Sequence, residues 1–553
     1  MSFAARAPAL LHPETTNSDC ALVGLQAMHV LRGEFSPLLL GSHYQTSVDA
    51  FWAAGFFALL GPSPFALMLS ALTLHVVSTL LVYAVLERTI GPARAFLLAC
   101  LLVFTGAVVH SYALYPPRQA ALTLVFMSLF AFVPRSEEPP SRARLAAGGA
   151  LGAFAIFADP YALVMLPALV VMAALVVRPR ARAGPSRAIA FLLGAAAGLV
   201  PFVLLTRHPE WKSGEAGLAT AVIPKNLSLL WASCGPWAFG SMVFRPTWIR
   251  DYTAWSAPAP LSWLLRAGAA TLAAAAFVAP LAALLKSSGG PARRVSLVGA
   301  TMAWATLTGF LLSVMVMDHF SMRYLVAAIL AAPLSMAALA ARLSPKALSA
   351  LLVAPLATGL VGGLAALGPV TASPLRWVSL PGHDDEQRAV EALVGDGIRF
   401  GVADYWVSYR LTFLARERLV VVPSHRAQDR HLPYRALAEK APRHAYIVDP
   451  FALPDPNARI NLLSYLPLIS PTSTSASGTS IPCTTSRRAA VSSSTEIVPG
   501  VSVTVAARID ATTGSSMSSG TTTIAGRSAD RGPSASFATR TFDTRTSQVT
   551  SAT

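Results

Sequence analysis

"PFALMLSALTLHVVSTLLVYAVL", residues 64–86, is a long apolar run without a single Asp, Glu, Lys or Arg. A helix needs about 20 consecutive apolar residues to cross the hydrocarbon core of a bilayer, so this stretch predicts a membrane-spanning helix. Comparable runs lie at residues 96–113, 117–134, 145–158, 160–177, 187–206, 262–285, 295–317, 324–342 and 346–370. The composition, 54% hydrophobic against 13% charged, agrees with this pattern. We therefore expect an all-α polytopic membrane protein with about ten transmembrane helices.

Basic residues are concentrated in every second loop between these runs. Arg88 and Arg94 follow the first span, Arg135, Arg142 and Arg144 the third, Arg178, Arg180, Arg182 and Arg187 the fifth, Lys286, Arg293 and Arg294 the seventh, and Arg342 and Lys346 the ninth. Short basic loops stay in the cytoplasm, so the alternate loops are expected to face outward. The net charge of +16 is then largely a topology signal, and no nucleic-acid partner is predicted.

The orientation of the loops, the local patterns and the composition together divide the chain into four predicted parts. Residues 1–63 form an extracytoplasmic first loop, and 64–372 form the transmembrane domain with a long outward loop at 207–261. Residues 373–469 alternate β-rich and helical patterns, which predicts a small extracytoplasmic α/β domain. Residues 470–553 are rich in Ser and Thr and are expected to be disordered. The predicted location is the inner (plasma) membrane of a bacterium, crossed many times.

The first loop contains an amphipathic segment, "NSDCALVGLQAMHVLRGEF" at residues 17–35, which predicts an interfacial helix. "AFWAAGFFALL", residues 50–60, is too short to span and is expected to be interfacial or re-entrant. "ADPY" is expected to form an outward turn because Pro160 disfavours helix at Asp159. Polar and ionisable residues gather on this outward side, and the candidates for chemistry are Asp19, His43, Tyr44, Asp49, Arg118, Asp159, His319, Arg323 and Tyr324.

Three stretches resemble one family. "NSDCALVGLQAMHVLRGEFSPLLLGSHYQTSVDAFWAAGFFALLGPS" (17–63) is similar to the first outward loop of bacterial GT-C glycosyltransferases of the protein-mannosyltransferase-like type. "ADYWVSYRLTFLARERLVVVPS" (403–424) resembles their C-terminal outward region, and "MRYLVAAIL" (322–330) resembles an Arg-Tyr-Leu span. The resemblance implies an enzyme that contacts membrane lipid and takes its sugar from a polyprenyl-phosphate carrier in the bilayer. The acceptor would be an extracytoplasmic envelope glycan, lipid or protein.

Asp19 matches the acid of the family's loop and is the candidate general base. Inverting transfer needs a carboxylate to accept the proton of the acceptor hydroxyl while phosphate leaves from the opposite face of the sugar. The alternative is that Asp19 caps the helix at 20–32. Asp49 is a candidate second acid, with a solvated loop carboxylate as the alternative.

The candidate binding residues also have two interpretations each. Arg118 and Arg323 could hold the carrier phosphate, since Arg presents donors in a fixed fork, or could be interfacial anchors whose charge reaches water. Tyr44 and the histidines His43 and His319 could bind sugar hydroxyls. The histidines could instead bind a divalent cation or have neither role, so the cofactor is unknown.

Three hypotheses follow. The first is a glycosyltransferase. The second is a transporter or flippase, which would normally place charges near the bilayer midplane, where these spans have almost none. The third is an inactive relative, because Cys20 stands where the family commonly has a second acid and no span precedes the loop. No phosphate-binding loop, GxSxG or HExxH sequence is present, which counts against ATP-driven pumps, serine hydrolases and zincins.

Overall fold

The structure is a computed structural model that describes residues 1–11, 16–133, 140–177, 184–212, 217–246, 252–255, 259–284, 290–366 and 383–447. The predicted disordered tail at 470–553 lies outside these residues. So do the basic residues of the loop at 178–183 and the junction at 367–382 between the predicted membrane and α/β domains.

Every apolar run predicted from the sequence contains helix. The helices are Pro64–Ile90, Pro92–Val103, Ala107–Tyr112, Gln119–Phe132, Arg142–Ala158, Pro160–Met165, Leu166–Val177, Gly184–Leu205, Ala259–Phe277, Ala279–Leu284, Pro291–Leu312, His319–Leu325, Val326–Ser335, Ala337–Ala340 and Pro345–Ala366. Among the described residues, six helical stretches are long and apolar enough to cross a membrane: Pro64–Ile90, Pro185–Leu205, Ala259–Phe277, Pro291–Leu312, His319–Ala340 and Pro345–Gly363. The prediction of a helical polytopic chain is confirmed.

Some predicted runs are broken into shorter helices for local reasons. The expected break before Pro160 is confirmed: Arg142–Ala158 ends there, Asp159 is extended with φ −155°, and its side chain accepts a hydrogen bond from the Tyr161 amide at 2.8 Å. A short helix, Pro160–Met165, then begins with the proline in its first turn. The helical arms on either side are therefore oriented by a turn whose acidic side chain is fixed in place.

Helices in this bundle approach closely where glycines remove the side chain. A β-carbon on Gly194 would lie 2.0 Å from the carbonyl oxygen of Ala146, so Gly184–Leu205 can pack on Arg142–Ala158 only with glycine at that position. Small residues at contacts of this kind are typical of helix packing in membranes, where burial in lipid gives little driving force.

The segments expected outside the membrane contain shorter elements. They are Ser2–Leu11, Ser18–Leu31, Val48–Leu60, Thr220–Val222, Ile223–Leu229, Leu230–Cys234, Gly235–Phe239 and an antiparallel pair of strands, Val243–Pro246 with Tyr252–Trp255. We call Ser18–Leu31 the first-loop helix. It begins two residues earlier than the expected helix at 20–32.

A small α/β region follows, as the sequence predicts. Its elements are His383–Gly395, Phe400–Ala403, Tyr405–Leu414, Val420–Pro423, Arg426–Gln428, Leu432–Lys440 and Ala445–Tyr446. The strand Phe400–Ala403 lies in the centre of a three-stranded parallel sheet. One buried apolar cluster joins this region to the first loop, with Leu25 and Phe57 on one side and Tyr409 and Phe413 on the other. This shared core brings Asp19 to residues nearly 400 positions away.

Candidate active site

Asp19 lies in the first turn of the first-loop helix but does not cap it. The side chain of Asn17 does so by accepting a hydrogen bond from the Cys20 amide at 3.1 Å. The cap interpretation of Asp19 is therefore wrong. Its carboxylate instead accepts hydrogen bonds from the hydroxyls of Tyr405, at 2.5 Å, and Tyr115, at 3.1 Å.

The two tyrosines reach Asp19 from separate parts of the chain. Tyr405 opens the helix Tyr405–Leu414, whose N-terminus is capped by Asp404, and Tyr115 lies in the turn before Gln119–Phe132. Burial, together with the negative charge of Asp19, raises the pKa of both phenols. Both therefore stay protonated at neutral pH, and each hydroxyl can go on donating to the carboxylate.

Arg118 and Asp159 form a buried ion pair close by. Arg118 Nε lies 3.2 Å from Asp159 Oδ2, and the two side chains are only 9% and 5% exposed. The guanidinium carbon also lies 5.2 Å from the ring centroids of Tyr161 and Tyr324. Since the Arg118 side chain is buried, the interpretation that it is an anchor extending to water is wrong.

One donor of Arg118 is left over. Its Nη1 is buried and has no hydrogen-bond partner among the residues that the structure describes. A buried donor without an acceptor is costly, and the cost is removed when a ligand supplies the acceptor. This nitrogen is therefore a candidate donor to the oxygen of an anionic ligand.

Asp49 holds the backbone of Arg118 in place. Arg118 has φ +78°, a left-handed conformation that residues with a β-carbon rarely adopt. The Asp49 carboxylate is buried and accepts hydrogen bonds from the amides of Arg118 and Ala120, each at 2.9 Å. The interpretation of Asp49 as a solvated loop carboxylate is therefore wrong. These contacts indicate that Asp49 orients Arg118, and we assign Asp49 no catalytic role.

Arg323 is the second cation of this group. Its Nη2 donates to the Tyr324 hydroxyl at 3.3 Å, and its guanidinium carbon lies 5.0 Å from the same ring. Tyr324 is thus flanked by Arg118 and Arg323, and its carbonyl accepts a hydrogen bond from the Tyr161 hydroxyl at 2.8 Å. Within the described part of the chain, Arg323 has no carboxylate partner. The pair Arg118 and Arg323 therefore carries more positive charge than Asp159 balances.

Residues 43–46 lie over the turn at Asp159. Thr46 Oγ1 donates to the Ala158 carbonyl at 2.8 Å, and the side-chain Nε2 of Gln45 is 3.5 Å from Asp159 Oδ2. Burial raises the pKa of Tyr44, which also feels the opposing charge of Arg118. The predicted candidates Tyr44, Arg118, Asp159 and Tyr324 are thus neighbours in the structure.

The two histidine candidates have other surroundings. His43 Nδ1 lies 3.0 Å from the Glu210 carbonyl oxygen, so it contacts the long loop after Gly184–Leu205. The His319 ring lies 5.3 Å from the ring of Trp237 and 4.2 Å from that of Phe320. Across the described residues, no group of three or more His, Cys, Asp or Glu side chains is arranged to hold a metal ion. Sugar binding by these histidines stays a prediction.

Sequence reasoning missed Tyr115, Tyr405 and Arg430 as members of the site. Arg430 donates through Nη1 to the Gly41 carbonyl at 3.0 Å, and its guanidinium carbon lies 5.6 Å from the Tyr405 ring. Tyr405 occurs in the "ADYWVSYR" stretch that resembles the family, which is the one signal that could have drawn attention to it. Nothing in the sequence around Arg430 distinguishes it from a surface arginine.

Comparison with known proteins gives remote structural similarity. No protein-family model matches the chain, and no curated protein matches it. A crystal structure of ArnT from Cupriavidus metallidurans in the apo state is similar at 12% identity and a TM-score of 0.45, covering 85% of this chain and 94% of that one. The same protein bound to undecaprenyl phosphate is similar at 13% identity and a TM-score of 0.44, covering 84% and 94%. The function of this chain has to be inferred from its own residues.

Proposed function

We propose that this chain is an integral membrane glycosyltransferase that transfers a sugar from a polyprenyl-phosphate carrier to an acceptor outside the cytoplasm. The observation that carries the proposal is the pairing of one oriented carboxylate, Asp19, with two neighbouring guanidinium groups, Arg118 and Arg323. The resemblance of residues 17–63 supports the finer proposal of a GT-C enzyme of the protein-mannosyltransferase-like type.

Tyr115 connects the carboxylate to the cations. Its hydroxyl donates to Asp19, its ring stacks on Tyr112 at 5.1 Å between centroids, and the charge of Arg323 opposes the rise in its pKa. Tyr115 therefore bonds directly to the acid and lies within the electrostatic influence of Arg323. This arrangement offers a base at one end and an anion-binding group at the other.

The arrangement suits displacement at the anomeric carbon. Asp19 accepts the proton of the acceptor hydroxyl while that oxygen forms its bond to the anomeric carbon. The bond from this carbon to the phosphate oxygen breaks, and the phosphate leaves with the electron pair. Arg118 and Arg323 hold the phosphate, since guanidinium groups bind phosphate oxygens through charge-assisted hydrogen bonds. The sugar's configuration is inverted.

Asp19 keeps enough acceptor capacity for this step. An ionised carboxylate has about four lone-pair sites. The described donors, Tyr115 and Tyr405, use one site on each oxygen. An acceptor hydroxyl can therefore approach Asp19 without displacing either tyrosine, and the tyrosines fix the direction from which it comes.

Asp19→Asn tests the proposal because it removes the base and keeps the shape. We expect kcat for transfer from a polyprenyl-phosphate sugar to fall by about 10²–10⁴-fold, with thermal stability near that of the wild type. Asp404→Asn is the matched control. It makes the same chemical change at the cap of Tyr405–Leu414, where Asn caps about as well as Asp, so transfer should be retained. Full activity in Asp19→Asn would show that Asp19 is not the base.

A further inference from the structure

The α/β region holds the first-loop helix at three places along its length. Asp19 binds Tyr405 near the helix start, Gly24 lies against Phe413 in the middle, and His29 binds Glu417 near the end. At 1.5 Å of rise per residue, Asp19 and His29 are about 15 Å apart along the axis. Contacts this far apart fix both the position of the helix and its rotation.

The middle contact leaves no room for sliding. A β-carbon on Gly24 would lie 2.6 Å from Cε2 of Phe413, so the helix backbone rests directly on the aromatic ring. The ring itself is fully buried and stacks on Phe57 at 5.9 Å between centroids. Phe413 therefore holds the middle of the helix, so a tilt of the helix at the His29 end would displace Asp19 at the other end.

The far contact is a network of charges around Glu417. Its carboxylate accepts hydrogen bonds from His29 Nε2 at 2.9 Å, from the Tyr434 hydroxyl and from Arg32. The other ring nitrogen, His29 Nδ1, lies 3.1 Å from a carboxylate oxygen of Glu34. A neutral imidazole has one N–H only, so both contacts are hydrogen bonds when the ring carries two protons.

The backbone conformation at Glu417 indicates that contacts of its side chain hold it in place. The amide of Glu417 bonds to the Thr412 carbonyl and that of Arg416 to the Phe413 carbonyl, closing the end of Tyr405–Leu414. Glycine usually occupies the left-handed positions of such helix ends. Here Arg416 and Glu417 adopt them, with φ +48° and +63°. Strained residues of this kind persist where surrounding contacts require the side chain.

We propose that Glu417 and His29 are positioning residues for the transfer reaction: their contact clamps the far end of the first-loop helix to the α/β region and so sets Asp19 against Tyr405. This inference rests on the proposed function, since it assigns these residues a purpose in orienting the base. Neither residue touches the reacting groups.

The groups around His29 come from both sides of the clamp. The groups that face His29 are Glu34 and Arg32 from its own segment, and Glu417, Tyr434 and His431 from the α/β region. Burial lowers the pKa of His431 to about 4, so that ring is neutral near pH 7. His29 therefore lies between two carboxylates, that of Glu34 from its own segment and that of Glu417 from the α/β region.

Steady-state transfer kinetics with purified full-length protein test the clamp through two single variants and their combination, His29→Gln, Glu417→Gln and the double variant. Each single variant should lower kcat by roughly 10- to 100-fold with the KM for the donor unchanged, because a displaced group far from the chemistry can cost about this much. The double variant should be no slower than the slower single variant, because the two single variants remove the same contact between His29 and Glu417.

Glu391→Gln is the matched control. Glu391 also pairs with an arginine of the α/β region, Arg418, at 2.5 Å, but this pair is about half exposed, whereas the contact between His29 and Glu417 is mostly buried. Its kcat should stay at the wild-type value. Losses in the two single variants that multiply in the double variant would overturn the clamp.

Amide hydrogen exchange separates this inference from the proposed function. Glu417→Gln should speed exchange at the Asp19 end of the first-loop helix, whether or not the enzyme transfers sugar. If the wild type transfers no sugar while exchange still quickens, the proposed function fails and the clamp stands. Unchanged exchange refutes the clamp, and faster exchange with full kcat refutes the positioning role.

Discussion

Gly24→Ala should destabilise the protein relative to Gly55→Ala by about 1–3 kcal/mol, the usual cost of overpacking a well-packed core. Both glycines lie inside helices, Gly24 in Ser18–Leu31 and Gly55 in Val48–Leu60. Each alanine gains about the same intrinsic helix propensity, roughly 1 kcal/mol, so this gain cancels when the two variants are compared. The difference that remains measures the space around the new methyl group.

The structure gives that space directly. The new β-carbon at position 24 would lie 2.6 Å from Phe413 Cε2 and 2.9 Å from its Cζ, whereas at position 55 it would meet nothing within 4 Å. Carbon atoms rest at about 3.5–4.0 Å, so the helix and the ring must separate by about 1 Å. Phe413 is buried among other side chains and has little freedom to move.

Equilibrium unfolding in mixed detergent micelles, followed by intrinsic tryptophan fluorescence, provides the free energies. Gly55→Ala should be as stable as the wild type or more so, and Gly24→Ala less stable than Gly55→Ala. Equal stabilities of Gly24→Ala and Gly55→Ala would show that the contact with Phe413 does not constrain the first-loop helix.

Two further changes have definite expected outcomes. Arg323→Ala should weaken binding of a polyprenyl phosphate by roughly 10- to 150-fold, the equivalent of one hydrogen bond to a charged group, when affinity is titrated on purified protein. Arg266→Ala, an exposed arginine over the ring of Trp263, is its control, and equal affinities in the two variants would remove Arg323 from the binding site. Burial alone would raise the pKa of Glu417, but hydrogen bonds from three donors outweigh it and lower the pKa from 4.5 to about 2. This stabilisation is complete above pH 4.5 and is lost as pH falls through about 2, so thermal unfolding midpoints should drop across that window and drop less in Glu417→Gln.

The sequence predicts the helical part of the fold because long apolar runs have one stable solution in a bilayer. It also predicts Arg118, Asp159 and Tyr324 as site residues, since each polar residue interrupts or flanks an apolar run and is conspicuous there. The strand and helix pattern after residue 383 is equally local, and the small α/β region is confirmed.

The roles of Asp19 and Asp49 could not be predicted from the sequence, because they depend on contacts between distant segments. Asp19 is followed by helix-forming residues, so a cap is a reasonable local interpretation, yet Asn17 makes the cap and two remote tyrosines bind Asp19. Asp49 looks like a loop acid until the structure shows its carboxylate against the backbone of Arg118. No local pattern encodes either contact, because each partner is set by packing.

The contact between Asp19 and Tyr405 spans 386 residues of sequence. During synthesis at about 5–20 residues per second, the ribosome therefore needs roughly 20–80 s after making the acid before its partner exists. Through that interval the first-loop helix has no Phe413 to pack against, so the part of its apolar face that the α/β region covers is exposed. The bilayer surface is the nearest apolar environment. We therefore expect the helix of the nascent chain to lie on the membrane surface until the α/β region folds and binds it. The site thus becomes complete only when Tyr405 is made, 386 residues after Asp19.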